Sequence, residues 1–175
     1  RGAQGRREAV TGDRCSRRVA ALYVDEQRGP YAKLPCVDAW GKERDATRYA
    51  GPHPVVTHPP CGAWGRMRKF AKQALNEASC APFAVAQVRR YGGVLEHPEA
   101  SSLWRHSSLP RPGDPPDRYG GYTISVDQVR WGHEARKRTW LYIVGVPRSK
   151  LPPIPPPRAP PCTVRRPRTA PASRA

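Results

Sequence analysis

Apolar positions in this chain gather into short runs punctuated by proline, glycine and charge. Val19-Ala20-Ala21-Leu22-Tyr23-Val24 is a compact apolar run ending at Asp25, the pattern of a buried strand. Gly29-Pro30 marks the loop after it, and Cys36-Val37-Asp38 reads as a second, very short strand. His53-Pro54-Val55-Val56-Thr57 reads as a third strand. Helix formers dominate from Met67 to Tyr91, with a break expected near Pro82. In the second half of that stretch Phe83, Val85 and Val88 share one face, and Arg89 and Arg90 suit the C-terminal dipole. Gly92-Gly93 stops the helix, and Val94-Leu95-Glu96 is a strand ending in a carboxylate, followed by His97-Pro98. Pro110 to Gly121 is rich in turn residues, Tyr122 to Arg130 alternates as a strand, and Thr139–Gly145 is strongly strand-like. This order predicts an α/β fold: a Rossmann-like, mainly parallel sheet with helices on both faces.

Charge divides the chain into three parts. The 175 residues hold 31 Lys plus Arg against 14 Asp plus Glu, a formal charge of +17. Residues 1–18 carry six Arg and two acids; residues 147–175 carry seven Lys/Arg, no acid and ten Pro. Both ends are expected to be basic and irregular, the second because Leu151–Pro157 favours polyproline II. That leaves residues 19–146 as one compact domain. The basic balance points to a polyanion partner, most simply nucleic acid, while basic tails can also be merely solvated. No stretch is apolar enough to span a membrane, and the first residues lack a signal-peptide pattern. Five cysteines (15, 36, 61, 80 and 162) with no CxxC argue against a disulfide framework and fit a reducing cytoplasm.

The candidate chemistry centres on Thr57-His58-Pro59-Pro60-Cys61. Two consecutive prolines stiffen and extend the backbone, so the thiol at their end has a defined position. A cysteine fixed where a strand runs out is a candidate nucleophile; it is equally the pattern of a turn with a small buried residue. In a parallel sheet ligands bind beyond the carboxyl ends of the strands, and Asp25, Cys61 and Glu96 all follow a predicted strand there. His53, His58, Cys61 and His97 match no zinc spacing, so no metal is expected. Trp64, close behind the cysteine, is placed to line a pocket.

Three ordered blocks carry a resemblance. Pro59-Pro60-Cys61 resembles the Pro-Pro-Cys loop of the C5-cytosine DNA methyltransferases. Val88–Pro98, ending Val94-Leu95-Glu96-His97-Pro98, is similar to that family's helix and Glu-Asn-Val strand, with His-Pro in place of Asn-Val. Arg130–Gly145 resembles its Arg-rich turn and Tyr-Ile-Val-Gly strand. The resemblance spans about residues 19–146 and implies a compact, divergent member, of a size that suits a phage or prophage. It implies methyl transfer from S-adenosylmethionine to C5 of cytosine in DNA. Cys61 would be the nucleophile, Glu96 the partner of ring N3, and Arg136 and Arg138 neighbours of the base or its phosphates. Asp25, Asp38, Asp45 and Pro59 would lie on the cofactor side.

The chain departs from that family in places. Leu22–Tyr31 holds one glycine where the family has a glycine-rich turn, and Asp25 to Asp38 is too short for a full crossover helix. Only a Pro/Arg-rich tail follows Gly145. Two other functions fit the same residues: a non-catalytic nucleic-acid-binding protein on a degenerate methyltransferase scaffold, and another cysteine-nucleophile enzyme acting on a pyrimidine nucleotide.

Overall fold

The computed structural model describes residues 15, 17–71 and 76–156. Residues 1–14 and 157–175, which hold most of the two basic ends and Cys162, lie outside them. Six strands form one sheet: β1 (Val19–Leu22), β2 (Val37–Trp40), β3 (Val55–Thr57), β4 (Gly93–Pro98), β5 (Tyr122–Asp127) and β6 (Arg138–Val144). Their spatial order is β2-β1-β3-β4-β6-β5. The pairs β1–β2, β1–β3 and β3–β4 are parallel, while β6 runs antiparallel to both β4 and β5. The sheet is therefore mixed, with β6 as its one reversed strand.

Two α-helices occur among the described residues, α1 (Glu77–Tyr91) and the single turn α2 (Leu103–His106). Both join the core formed on one face of the sheet with Ala20, Leu22, Val55, Leu95 and Tyr142. Each fully buried leucine there contributes about 1.5–3 kcal/mol of hydrophobic stabilisation. The register places Val19, Ala21, Val37, Val56, Val94 and Ile143 on the other face. No helix longer than a turn covers that face among the described residues, which corrects the expectation of helices on both faces. The short link between β1 and β2 holds only a 3-10 turn, Pro30–Lys33, as its length requires.

Helix α1 runs unbroken through Pro82. A proline at that position cannot donate to the carbonyl of Ala78. The indole Nε1 of Trp64 donates to that carbonyl instead, at 3.0 Å. The buried stripe of α1 is Ala81, Ala84, Val85 and Val88, at helical spacing. Phe83 lies off it and is 49% exposed, unlike the expected Phe83-Val85-Val88 face. The helix ends as expected at Gly92, whose φ is 74° and whose N–H reaches the Val88 carbonyl. Gly93 follows at φ 119°, and a Cβ there would overlap the Val55 carbonyl oxygen, so β3 and β4 approach only with glycine here.

Strand β5 stops at Asp127 rather than continuing to Arg130. The Asp127 carboxylate accepts from Val129 N and opens a 3-10 turn over Gln128–Trp131. Cys15 and Cys36 are joined by a disulfide, against the expectation of none. Val19 N donates to Cys36 O, so the segment entering β1 runs beside the segment entering β2 and brings the thiols together. The described part of the 147–175 tail is irregular apart from a 3-10 turn at Arg148–Lys150. No helix is long and apolar enough to cross a membrane among the described residues.

Candidate active site

The chain leaves β1 for β2 on one side and reaches β3 on the other. That makes the carboxyl ends of β1 and β3 a topological switch point, where open α/β sheets leave a crevice. A cavity of about 550 Å3 opens there, bordered by Tyr23, Lys42, Asp45, Pro60, Cys80 and Phe83. A second cavity, of about 670 Å3, is bordered by Cys61, Arg66, Arg68, Arg136, Lys137 and Arg138. Consecutive residues of the Pro-Pro-Cys loop thus serve two different cavities.

The loop is held from several sides. Pro59 is buried and Cys61 exposed. The Cys61 carbonyl accepts from Trp64 N at 3.0 Å and Gly65 N at 2.8 Å. The Trp64 carbonyl in turn accepts from Ser102 N and from the hydroxyls of Ser101 and Ser102. With its indole on α1, Trp64 ties the loop to both the helix and the β4–α2 connection. It is a positioning residue rather than the wall of a pocket.

Glu96 sits on β4 with its side chain 19% exposed. Two hydrogen-bond donors and one cation surround its carboxylate: His58 Nδ1 at 3.2 Å, Gln128 Nε2 at 2.9 Å, and the Lys137 ammonium in an ion pair at 3.6 Å. Burial pushes the Glu96 carboxyl up, but the His58 hydrogen bond and the Lys137 charge outweigh it and leave it below the ordinary range. Glu96 is therefore an ionised acceptor. It does not border the Cys61 cavity; Lys137 does, and bridges from that cavity to Glu96. His58 turns its other nitrogen to Tyr31 Oη at 2.8 Å, giving a Tyr31–His58–Glu96 chain rather than a His58–Cys61 pair. His58 had a signal in the sequence; Tyr31 and Gln128 had none.

The basic turn borders the Cys61 cavity, and Arg136 and Arg138 each have an acidic partner. Arg136 pairs with Asp127 at 3.0 Å and Arg138 with Glu99 at 3.0 Å. Neighbouring His97 is fully buried, and neither ring nitrogen has a hydrogen-bond partner of good geometry. Burial pushes its pKa down to about 4, opposed by Glu96 and the Pro60 carbonyl, so it is neutral.

Of the four residues expected on the cofactor side, one borders the switch-point cavity: Asp45. Its φ is 56° and its carboxylate caps the 3-10 turn Ala46–Arg48. Pro59 is buried behind Pro60. Asp25 is exposed and accepts from the backbone of Gln27 and Arg28, closing its own turn. Those backbone hydrogen bonds hold its carboxyl below the usual range. Asp38 is occupied by Arg44 at 2.6 Å and the Trp40 indole at 2.7 Å. Burial raises its pKa, and these two partners more than offset that. Glu26, not singled out from sequence, accepts from the backbone N–H groups of Gly41, Glu43 and Arg44 and fixes the loop after β2. A Cβ at Gly41 would overlap the Val24 carbonyl, so the loops after β1 and β2 approach this closely only with glycine here.

Tyr23, at φ 61°, is in a left-handed conformation unusual for a bulky side chain. Its hydroxyl donates to Gln87, whose Nε2 donates to the Ala46 carbonyl, so β1, α1 and the loop after β2 are pinned around the cavity. The second free thiol, Cys80, is held in its neutral form by burial and by Glu77 and Asp45. Among the described residues no cluster of His, Cys, Asp and Glu is arranged to hold a metal ion. No protein-family model, curated protein or solved structure matches this chain.

Proposed function

We infer that this chain transfers a methyl group from S-adenosylmethionine to C5 of cytosine, or of a related pyrimidine, through a Cys61 adduct. The observation that carries the reading is the pair of cavities flanking one rigid loop, with Pro60 on one and Cys61 on the other. A two-substrate transfer needs that arrangement: donor and acceptor compartments meeting at the nucleophile.

The switch-point cavity suits the donor. Its volume is in the range of cofactor sites. Lys42 and Asp45 offer charges to an amino-acid group or ribose, and exposed Phe83 offers an apolar surface to a purine. S-adenosylmethionine, when bound there, supplies an electrophilic methyl group. Cys61 works from the other side. Its thiolate forms a bond to C6, and the C5–C6 electron pair moves to C5, making it nucleophilic. Methyl transfer to C5 would leave the donor sulfur as a neutral thioether; loss of the C5 proton to solvent and cleavage of the Sγ–C6 bond then restore the ring and free the thiolate. Arg66, Arg68 and Lys137 give the cavity a positive lining that suits a polyanionic substrate. Glu96 lies behind Lys137 rather than on the cavity border, so it would have to leave His58 and Gln128 and take up a solvent proton before giving that proton to ring N3.

A non-catalytic nucleic-acid-binding role is the second reading. The specific observation in its favour is that the Glu96 carboxylate is already occupied by His58, Gln128 and Lys137 and does not border the Cys61 cavity. Labelled methyl transfer to cytosine-containing DNA and to free nucleotides, with calorimetric binding of S-adenosylmethionine, separates the two. Transfer with cofactor binding supports the enzyme; neither activity nor cofactor binding leaves the scaffold.

A further inference from the structure

A third cavity, of about 680 Å3, adjoins the one that holds Cys61. Its border includes Ser101, Ser102, Arg105, Arg111, Ser125 and Trp140. Glu99 and Arg138 border both cavities, and their ion pair at 3.0 Å is the partition between them. Helix α2 explains why the wall is cationic: Leu103 and Trp104 are buried in the core, which turns Arg105 outward. The hydroxyls of Ser101 and Ser102 are spent on the Trp64 carbonyl. The nearby acid Asp114 accepts the backbone N–H of Arg111. Neither Arg105 nor Arg111 forms an ion pair among the described residues. Across the two cavities, Glu99 is the one acid on the border, and it is already neutralised by Arg138.

We propose that this third cavity is a subsite for the phosphate and sugar flanking the reacting pyrimidine, with Arg105 and Arg111 as the phosphate contacts. The inference rests on the reading of Cys61 as the reacting residue. It makes the substrate a polynucleotide strand rather than a free nucleotide. A strand with its reacting base at Cys61 continues past the Glu99–Arg138 partition into this compartment, where two unpaired guanidinium groups suit a phosphodiester. Trp140, half-buried in the wall, borders the space of the next base.

The test is fluorescence anisotropy with a labelled 12-nucleotide oligodeoxynucleotide, single-stranded and duplex, over a salt series. The Arg105→Ser/Arg111→Ser double variant is compared with Arg148→Ser/Lys150→Ser. The second pair removes the same charge beyond β6, at the opposite edge of the sheet. The first pair is expected to weaken single-strand binding roughly tenfold at low salt and to lower the salt slope by about 1.4. The second is expected to stay within about twofold. Equal losses from both pairs, or none from the first, overturn the subsite. The duplex arm shows whether a paired strand reaches the groove; duplex binding indifferent to the first pair assigns it to single strands. Methylation of free dCMP as efficiently as of the strand also overturns the subsite and leaves Cys61 chemistry standing. If neither is methylated yet the first pair still weakens binding selectively, the reading of Cys61 falls and the groove stands.

Discussion

Lowering the pH should destabilise the fold mainly through His97. Its ring lies on the core side of β4 with no exposed surface, near Trp104 at a centroid distance of 6.4 Å. Its pKa is about 4 in the folded chain against an ordinary 6.5. Between those values the unfolded chain binds the proton and the folded chain does not, so stability rises with pH there. This contribution is complete above about pH 6.5 and is lost as pH falls towards 4. At 1.36 kcal/mol per unit, a window of about 2.5 units corresponds to about 3 kcal/mol. The carboxylates act lower. Glu96 and Asp117 have depressed pKa values, so their contribution disappears below the ordinary carboxylate range rather than inside this window. Urea unfolding at pH 7.5, 6.5, 5.5 and 4.5 should move the midpoint down by roughly 1–2 M in total. His97→Leu should flatten the profile between pH 6.5 and 4.5. A wild-type midpoint constant over that range, or an unchanged slope in the variant, would refute the assignment.

Three further outcomes are expected. Gly93→Ala should cost at least about 3 kcal/mol, because the new Cβ meets the Val55 backbone at a positive φ; a thermal midpoint within a degree of wild type contradicts it. Trp64→Phe should cost about 1 kcal/mol by leaving the Ala78 carbonyl without its indole donor. In a Pro82→Ala background, where residue 82 regains its N–H, that cost should nearly vanish, and equal costs in both backgrounds would refute the link. Cys61→Ser should abolish methyl transfer with oligonucleotide affinity kept within about twofold, and Glu96→Gln should lower the rate about 10²-fold; full activity in either removes that residue from the mechanism.

Much of the sheet was readable because its strands are short apolar runs with abrupt ends. Val19–Leu22 stops before Asp25, Val55–Thr57 is bounded by prolines, and Gly92-Gly93 separates α1 from β4. The Pro-Pro-Cys loop and the basic turn were readable for the same local reason, and they do border one cavity. What escaped depends on partners distant in sequence. Helix α1 survives Pro82 because Trp64 supplies the donor. Cys15 meets Cys36 because two strand entries run side by side. Glu96 is ringed by His58 after β3, Gln128 after β5 and Lys137 just before β6, with Tyr31 behind His58, and only the register brings these together. Asp25 and Asp38 look like ligand-binding acids in sequence, yet each serves the loop or strand that carries it.

The most direct test of the central claim is peptide mapping by mass spectrometry after incubation with S-adenosylmethionine and an oligonucleotide containing 5-fluorocytosine. Fluorine at C5 blocks the proton loss that frees the thiolate, so a methylating chain is trapped. A methylated nucleotide adduct is expected on the peptide carrying Cys61 and is expected to be absent in Cys61→Ser. An adduct on Cys80 instead, or none with the cofactor present in excess, would contradict it.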